Sequence, residues 1–506
     1  MGLLNILILI YGLLITSKAQ DDSLIVSTTY GKIKGKIVKT DLGTEVNTWY
    51  GIPYAEPPLG DLRFKRPIPP QNWDGIRNTT EQIYACSQPK FDVSILGADH
   101  MMNSDEAKKY RVISPSREDC LYLNVISPGT KPKNLEVIIW LYGLSFFGGS
   151  TTMGIFSYEI LSSLQNIIIV APQYRVGAFG FLYTGDENAP GNAGLYDQLL
   201  ALRWVKDNIE NFGGDPSKIT LMGSDAGAAS VGFHMFSPLS EKLFLRGILL
   251  SGSPVAPGVI QDKSVSIRKL NAFANYFNCS NDENDYSNLV SCLQKVDSED
   301  LVKKDFETYT TNFLPVVDGE FILEDPSVTI NKPWEKPIHD ILMGTVSDEG
   351  TFILLFLMPQ LLSLNTELKL EKEEFIKGVE IIGSIFKRSG SLNKAIIQEY
   401  FNYDDPNNSF LNVKALDSIY SDFLFHCPSN EFINFVSENN GNVFQYYFNS
   451  FLPMSPKLEW IGANHLVDMG YLFGNNLKKL SYQIPNQIKD ASMRMMSYFG
   501  NFAKTG

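Results

Sequence analysis

The chain has 506 residues, 44% hydrophobic and 12% aromatic, enough to bury a large core, and its 20% charged content is that of a globular protein rather than a disordered one. A formal net charge of −13 excludes the basic footprint of a nucleic-acid-binding protein and predicts an acidic surface. No Pro/Gly/Ser-rich linker, charge block or internal repeat divides the sequence, so residues 20–506 read as one large domain.

From the N-terminus, an apolar run from Leu3 to Ile15 precedes Ser17, Lys18 and Ala19, the pattern of a secretory signal peptide over 1–19 cleaved after Ala19. The run is shorter than the ~20 residues that span a bilayer, and no later stretch is long and apolar enough, so no membrane span is expected within 1–506 and the protein is expected outside the cell. Five cysteines in an exported chain read as disulfide material, since no CxxC or clustered Cys/His spacing marks a metal or cofactor site. The expected pairs are Cys86 with Cys120 and Cys279 with Cys292, leaving Cys427 over. Sequons at Asn78, Asn278 and Asn407 predict surface glycosylation.

Near-continuous apolar runs at Val137–Tyr142, Asn166–Ala171, Ile219–Met222 and Gly247–Ser251 predict strands buried on both faces. Between the second and third, residues 192–212 carry Leu195, Leu199, Leu202, Val205 and Ile209 at helical spacing. Strand, helix, strand in this order predicts a doubly wound, mostly parallel α/β sheet, whose ligands sit beyond the carboxyl ends of the strands. The turn after Met222 reads Gly223-Ser224-Asp225-Ala226-Gly227 and opens a helix of small residues over 228–236. This is a nucleophile elbow with one letter changed: flanking glycines let strand and helix approach while a strained central residue projects its side chain.

Further segments accompany the elbow: Tyr50-Gly51-Ile52-Pro53-Tyr54-Ala55-Glu56-Pro57-Pro58, Arg63-Phe64, Glu118-Asp119-Cys120-Leu121-Tyr122-Leu123-Asn124-Val125, Asn192-Ala193-Gly194-Leu195-Tyr196-Asp197-Gln198 and Phe212-Gly213-Gly214-Asp215-Pro216. On these the chain resembles the type B carboxylesterase and cholinesterase family of α/β-hydrolases, from Val26 to its last residue. The resemblance implies a triad in the order Ser, Glu, His. Glu349, in Ser347-Asp348-Glu349-Gly350, and His465, in Trp460-Ile461-Gly462-Ala463-Asn464-His465, occupy two of its positions, and Asp225 stands where active relatives carry the serine. A lone Glu is usually surface charge and a lone His a satisfied polar group, but each lies inside a matched segment in the required order. Glu349 is therefore expected to orient His465, and a second carboxylate at Asp225 to favour the imidazolium.

The resemblance places the oxyanion hole at Leu144, Ser145 and Ala226, but relatives have glycines where this chain has Leu144 and Ser145. The N–H donors persist, while the backbone geometry that aims them is in question, and Leu144 is expected to take up substrate space. Cholinesterases carry a cation-binding tryptophan in the loop between Cys86 and Cys120; this loop has only Phe91 and Tyr110 as aromatics, which disfavours choline-type substrates. Residues 501–506 match an internal family segment, so the chain is expected to be cut short, with the partner of Cys427 in the missing stretch and dimerisation open.

A carboxylate attacking an ester would form an anhydride with poor driving force, so the expected function is a catalytically silent, secreted or cell-surface binding protein with a protein partner or small apolar ligand. Neuroligin- and neurotactin-type adhesion molecules are the similar precedent. The alternatives are a hydrolase using Asp225 as nucleophile, in the manner of haloalkane dehalogenases and epoxide hydrolases, or a weak residual esterase.

Overall fold

The computed structural model describes residues 24–81, 84–90, 115–129, 133–279, 285–307, 313–336, 338–359, 362, 368–385, 390–450, 456–478 and 484–506. The expected signal peptide and the loop residues Phe91 and Tyr110 lie outside the described residues.

Nine strands form the central sheet: β1 (Lys36–Lys39), β2 (Glu45–Pro53), β3 (Tyr122–Pro128), β4 (Leu135–Leu141), β5 (Ile168–Pro172), β6 (Gly214–Ser224), β7 (Arg246–Leu250), β8 (Asp340–Val346) and β9 (Val443–Phe448). Their spatial order is β9-β8-β7-β6-β4-β5-β3-β2-β1. The strands β4 to β9 pair in parallel, while β3, β2 and β1 are added antiparallel at one side. All four runs predicted as buried strands are strands of this sheet.

Strand β4 shows why the runs are continuous rather than alternating. Ile138 and Trp140 enter one core and Val137, Ile139 and Leu141 the other, because successive side chains of a strand point to opposite faces and both faces are covered. Five helices matter for the site and its supports: α1 (Ala193–Asn208), α2 (Ala226–Phe236), α3 (Glu349–Leu357), α4 (Ser409–Ser421) and α5 (Asn486–Thr505). Helix α5 closes the first core with Met495, Met496, Phe499 and Phe502, and α1 the second with Leu202, Trp204 and Val205. The helix read over 192–212 ends earlier than its periodicity suggests: Ile209–Phe212 tightens into a 3₁₀ turn that stops at Gly213, whose φ is +92°.

Disulfides join Cys86 to Cys120 and Cys279 to Cys292, as expected, and Cys427 is an exposed free thiol. Asn78, Asn278 and Asn407 are exposed. No described helix is long and apolar enough to cross a membrane.

The crossing of β6 into α2 works only because two side chains are missing. A Cβ on Gly227 would lie 2.1 Å from the Leu141 carbonyl oxygen of β4, and one on Gly223 would lie 2.3 Å from the Gly227 carbonyl oxygen. Gly227→Ala is therefore expected to cost about 3 kcal/mol or more, since rigid backbone must move. Gly390→Ala meets nothing within 4 Å and is expected to be neutral or slightly stabilising. Urea denaturation of the two variants checks the contrast.

Candidate active site

Three parallel strands deliver the site from their carboxyl ends, where doubly wound sheets place ligands. Residues 143–146 follow β4, Asp225 follows β6, and Glu349 begins α3 just beyond β8. His465 lies on the segment after β9, drawn in by a bridge between Asp348 and Asn464.

Asp225 has φ 51° and ψ −121°, a strained conformation for a residue with a side chain, costing on the order of 1–3 kcal/mol. Its N–H donates to the Leu250 carbonyl at 2.9 Å, and its carbonyl accepts the Ala229 N–H at 3.0 Å as the first turn of α2 begins. Helix α2 is itself tied to α1 by buried polar groups. Gln198 donates Nε2 to Ser230 Oγ (3.2 Å) and accepts at Oε1 from His234 Nε2 (3.2 Å), while Ser230 Oγ donates back to the Ala226 carbonyl (2.8 Å). Burial drives His234 down to a pKa of about 3, so it is neutral, with Nδ1 free to accept from Ser240 Oγ at 2.6 Å.

The loop after β4 answers the question of backbone geometry. Ser145 and Phe146 adopt left-handed backbone, φ 48° and 62°, although neither is glycine. Packing holds the loop there: the Phe146 ring lies 5.2 Å from Phe181 and 6.3 Å from Phe233, and its carbonyl accepts the Gly177 N–H at 2.7 Å. In this conformation the Ser145 N–H donates to Asp225 Oδ2 at 2.6 Å. The donor that the family resemblance assigns to an oxyanion is thus held by a carboxylate of the protein itself. Of the other two expected positions, Ala226 is the buried first residue of α2, and Leu144 is buried in the core with Tyr142 and Phe147.

Glu349 is fully buried and both carboxylate oxygens are used: Oε1 accepts the Val346 N–H at 2.9 Å and Oε2 meets His465 Nδ1 at 2.5 Å. The other face of the imidazole, Nε2, lies 3.7 Å from Asp225 Oδ1, close enough for charge attraction but beyond a hydrogen bond. Phe352 and Phe425 flank the ring at 5.6 and 4.9 Å. The three residues expected to come together therefore do so, with Glu349 and His465 in contact and Asp225 one step looser.

Several supports were not read from the sequence. Asp348 accepts the Ala463 N–H at 2.9 Å and pairs with Lys414, tying the His465 segment to α3. Helix α4 grips the start of α3 through Ser421 Oγ, which accepts the Gly350 N–H, and Asp417 Oδ1, which accepts the Thr351 N–H, both at 2.9 Å. Asp468 is fully buried, takes a hydrogen bond from Tyr446 at 3.1 Å, and is raised to a pKa of about 7 by burial and then by the Glu349 charge. Only Asp348 carried a sequence signal, as a neighbour of Glu349; the others are brought in by tertiary contacts.

Burial opposes a charge on His465, but the Glu349 carboxylate, by charge and hydrogen bond, outweighs it with Asp225 and Asp468 adding, so its pKa lies above the ordinary value. A histidine raised in the folded state stabilises fully below its unfolded pKa of ~6.5, and that contribution fades as pH climbs through the raised value. The raised Asp468 acts in the same direction, because the folded state holds its proton until about pH 7. NMR titration is expected to place His465 above ~6.5, and Asp225→Asn to lower it; urea unfolding is expected to show stability falling from pH 6 to 9, less steeply in Asp225→Asn.

Comparison with known proteins agrees with this architecture. Residues 22–506 match the model of the carboxylesterase family. The chain is 35% identical over 490 residues to an acetylcholinesterase of Bungarus fasciatus, covering 95% of this chain and 78% of that protein. It is 32% identical over 510 residues to an acetylcholinesterase of Leptinotarsa decemlineata (96% and 79%), and 34% identical over 490 residues to acetylcholinesterase 1 of Caenorhabditis elegans (93% and 77%). With the sheet order, the elbow and this similarity in hand, the chain belongs to the carboxylesterase family.

Proposed function

We propose that this protein has lost ester hydrolysis and acts by binding, outside the cell, a protein partner or a small apolar ligand. The observation that carries the reading is the Asp225 carboxylate on the Ser145 N–H at 2.6 Å. An ester whose carbonyl oxygen needs that donor must displace an anion from it, and nothing then attacks productively, since carboxylate addition gives an anhydride. On this reading Asp225, His465 and Glu349 are a standing charge network, in which the imidazolium sits between two carboxylates instead of serving as a base. Export, with signal-peptide cleavage and glycans at the three exposed sequon asparagines, belongs to the same proposal, as does the family precedent of cholinesterase-like adhesion proteins.

One observation favours a second reading. With Oδ2 anchored, Oδ1 points to the His465 side, so the carboxylate has one fixed and one presented oxygen. Attack of Oδ1 on an epoxide carbon would break the adjacent C–O bond, the released alkoxide taking a proton from solvent, and would form an ester that water activated by the neutral form of His465 could cleave. Mass spectrometry after incubation with an epoxide distinguishes the two, because this second reading requires an adduct on Asp225 in an Asp225-intact protein whose His465 is replaced by alanine.

Hydrolysis of p-nitrophenyl acetate tests the main reading. The wild type is expected to equal Asp225→Ala within about twofold, because losing a triad nucleophile costs on the order of 10⁶ in kcat. Asp225→Ser, which frees the Ser145 N–H and restores a nucleophile beside His465, is expected to exceed both by at least about tenfold. Clear activity of wild type above the alanine variant contradicts the proposal.

A further inference from the structure

We propose that His426 is a pH-sensitive latch: as an imidazolium it ties the turn Asp422–His426 to the end of β8, beside Glu349, and on losing a proton it lets go of one of the two. The turn owes its shape to the residue that follows it. Pro428 has no N–H to give to the carbonyl of Leu424, four residues back. Between α4 and the helix Cys427–Glu438 the backbone widens into a single π-turn, closed by the Cys427 N–H on the Asp422 carbonyl. Such turns are rare and recur at functional sites.

Both ring nitrogens of His426 face acceptors. Nδ1 lies 3.1 Å from Asp422 Oδ1, and Nε2 lies 3.0 Å from the Val346 carbonyl oxygen. Asp422 is ionised: the hydrogen bond from His426, with one from the Tyr400 hydroxyl to Oδ2 at 2.7 Å, holds its carboxyl below the usual range. A neutral imidazole has one N–H and one lone pair, so it can serve only one of these two acceptors, whereas the imidazolium serves both.

The groups around the ring favour that proton. Asp422 lies on its own turn, Glu349 on the first turn of α3, and Tyr447 of β9 sets its ring 5.8 Å away. Asp348 and Asp417 act on Tyr447 in turn, the first of them paired with Lys414. Burial opposes the charge on His426, but the hydrogen bonds to Asp422 and Val346, with the Glu349 charge, outweigh it, so its pKa lies above the ordinary value. The hold is complete below ~6.5 and fades as pH rises through the raised value.

Val346 links the latch to the candidate site, since its carbonyl takes the His426 N–H while its own N–H is held by Glu349 Oε1 at 2.9 Å. On the same turn Phe425 packs its ring 4.9 Å from His465, and Asp422 and Phe423 line a cavity of about 390 Å³ with Ile382, Leu392 and Tyr400. The latch therefore acts on a wall that faces both His465 and this cavity.

Titration of protein labelled with ¹⁵N-histidine tests this without any substitution. At pH 6 both ring nitrogens of His426 are expected to carry protons, with a midpoint above ~6.5. Amide exchange at residues 422–426, corrected for intrinsic rates, is expected to lose about fivefold protection from pH 6 to 9 at that midpoint. His426→Gln, which donates without titrating, is expected to flatten the profile, and Asp422→Asn to bring His426 down toward ~6.5. Asp225→Asn is expected to move His465 and leave the His426 midpoint in place. Titration of His426 at or below ~6.5, protection indifferent to pH, a profile that persists in His426→Gln, or a midpoint that moves with Asp225→Asn would each overturn the proposal.

Discussion

The arrangement turns on one hydrogen bond, from the Ser145 N–H to the Asp225 carboxylate, made by two residues that both hold left-handed backbone. Neither conformation is comfortable for an L-residue with a side chain, and each is imposed by its surroundings. At Asp225 the constraint is the close passage of α2 over β4, which Gly223 and Gly227 allow. At Ser145 it is the burial of the Phe146 rings' neighbourhood and the turn closed by Leu144 and Phe147. A charged acceptor between them is shorter and stronger than a neutral one and helps hold both strained residues in place.

The rest of the site retains the machinery that a nucleophile would need. Glu349 is buried with both oxygens satisfied, and His465 is clasped between it and two phenyl rings. The buried Glu–His pair carries a desolvation cost that its hydrogen bonds offset, and it fastens the His465 segment to the start of α3. Asp348, Lys414, Asp417 and Ser421 fasten the His465 segment and α4 to the start of α3, so the charged centre joins elements from distant parts of the chain.

Much of this was legible in the sequence. The apolar runs gave away the buried strands because both faces of the sheet are covered, and the glycines around Asp225 gave away the elbow because close backbone contact leaves no other residue possible. The convergence of Asp225, Glu349 and His465 and both disulfide pairs were readable as well. The loop after β4 was not: spacing says that Leu144 and Ser145 replace glycines, but whether Ser145 turns left-handed depends on the packing of Phe146 against Phe181 and Phe233, residues far along the chain. Asp468 and Asp417 were likewise invisible, since an acidic residue in a helix normally faces water and only the folded structure buries these.

The most direct measurement is amide hydrogen exchange and the proton shift of Ser145, in protein labelled with ¹⁵N-serine, for wild type and Asp225→Ala. A Ser145 N–H bound to a carboxylate is expected downfield and protected in the wild type, exchanging at least about tenfold faster with its shift moved upfield in the variant. Identical exchange and shift in both proteins would contradict the claim that Asp225 occupies the oxyanion donor.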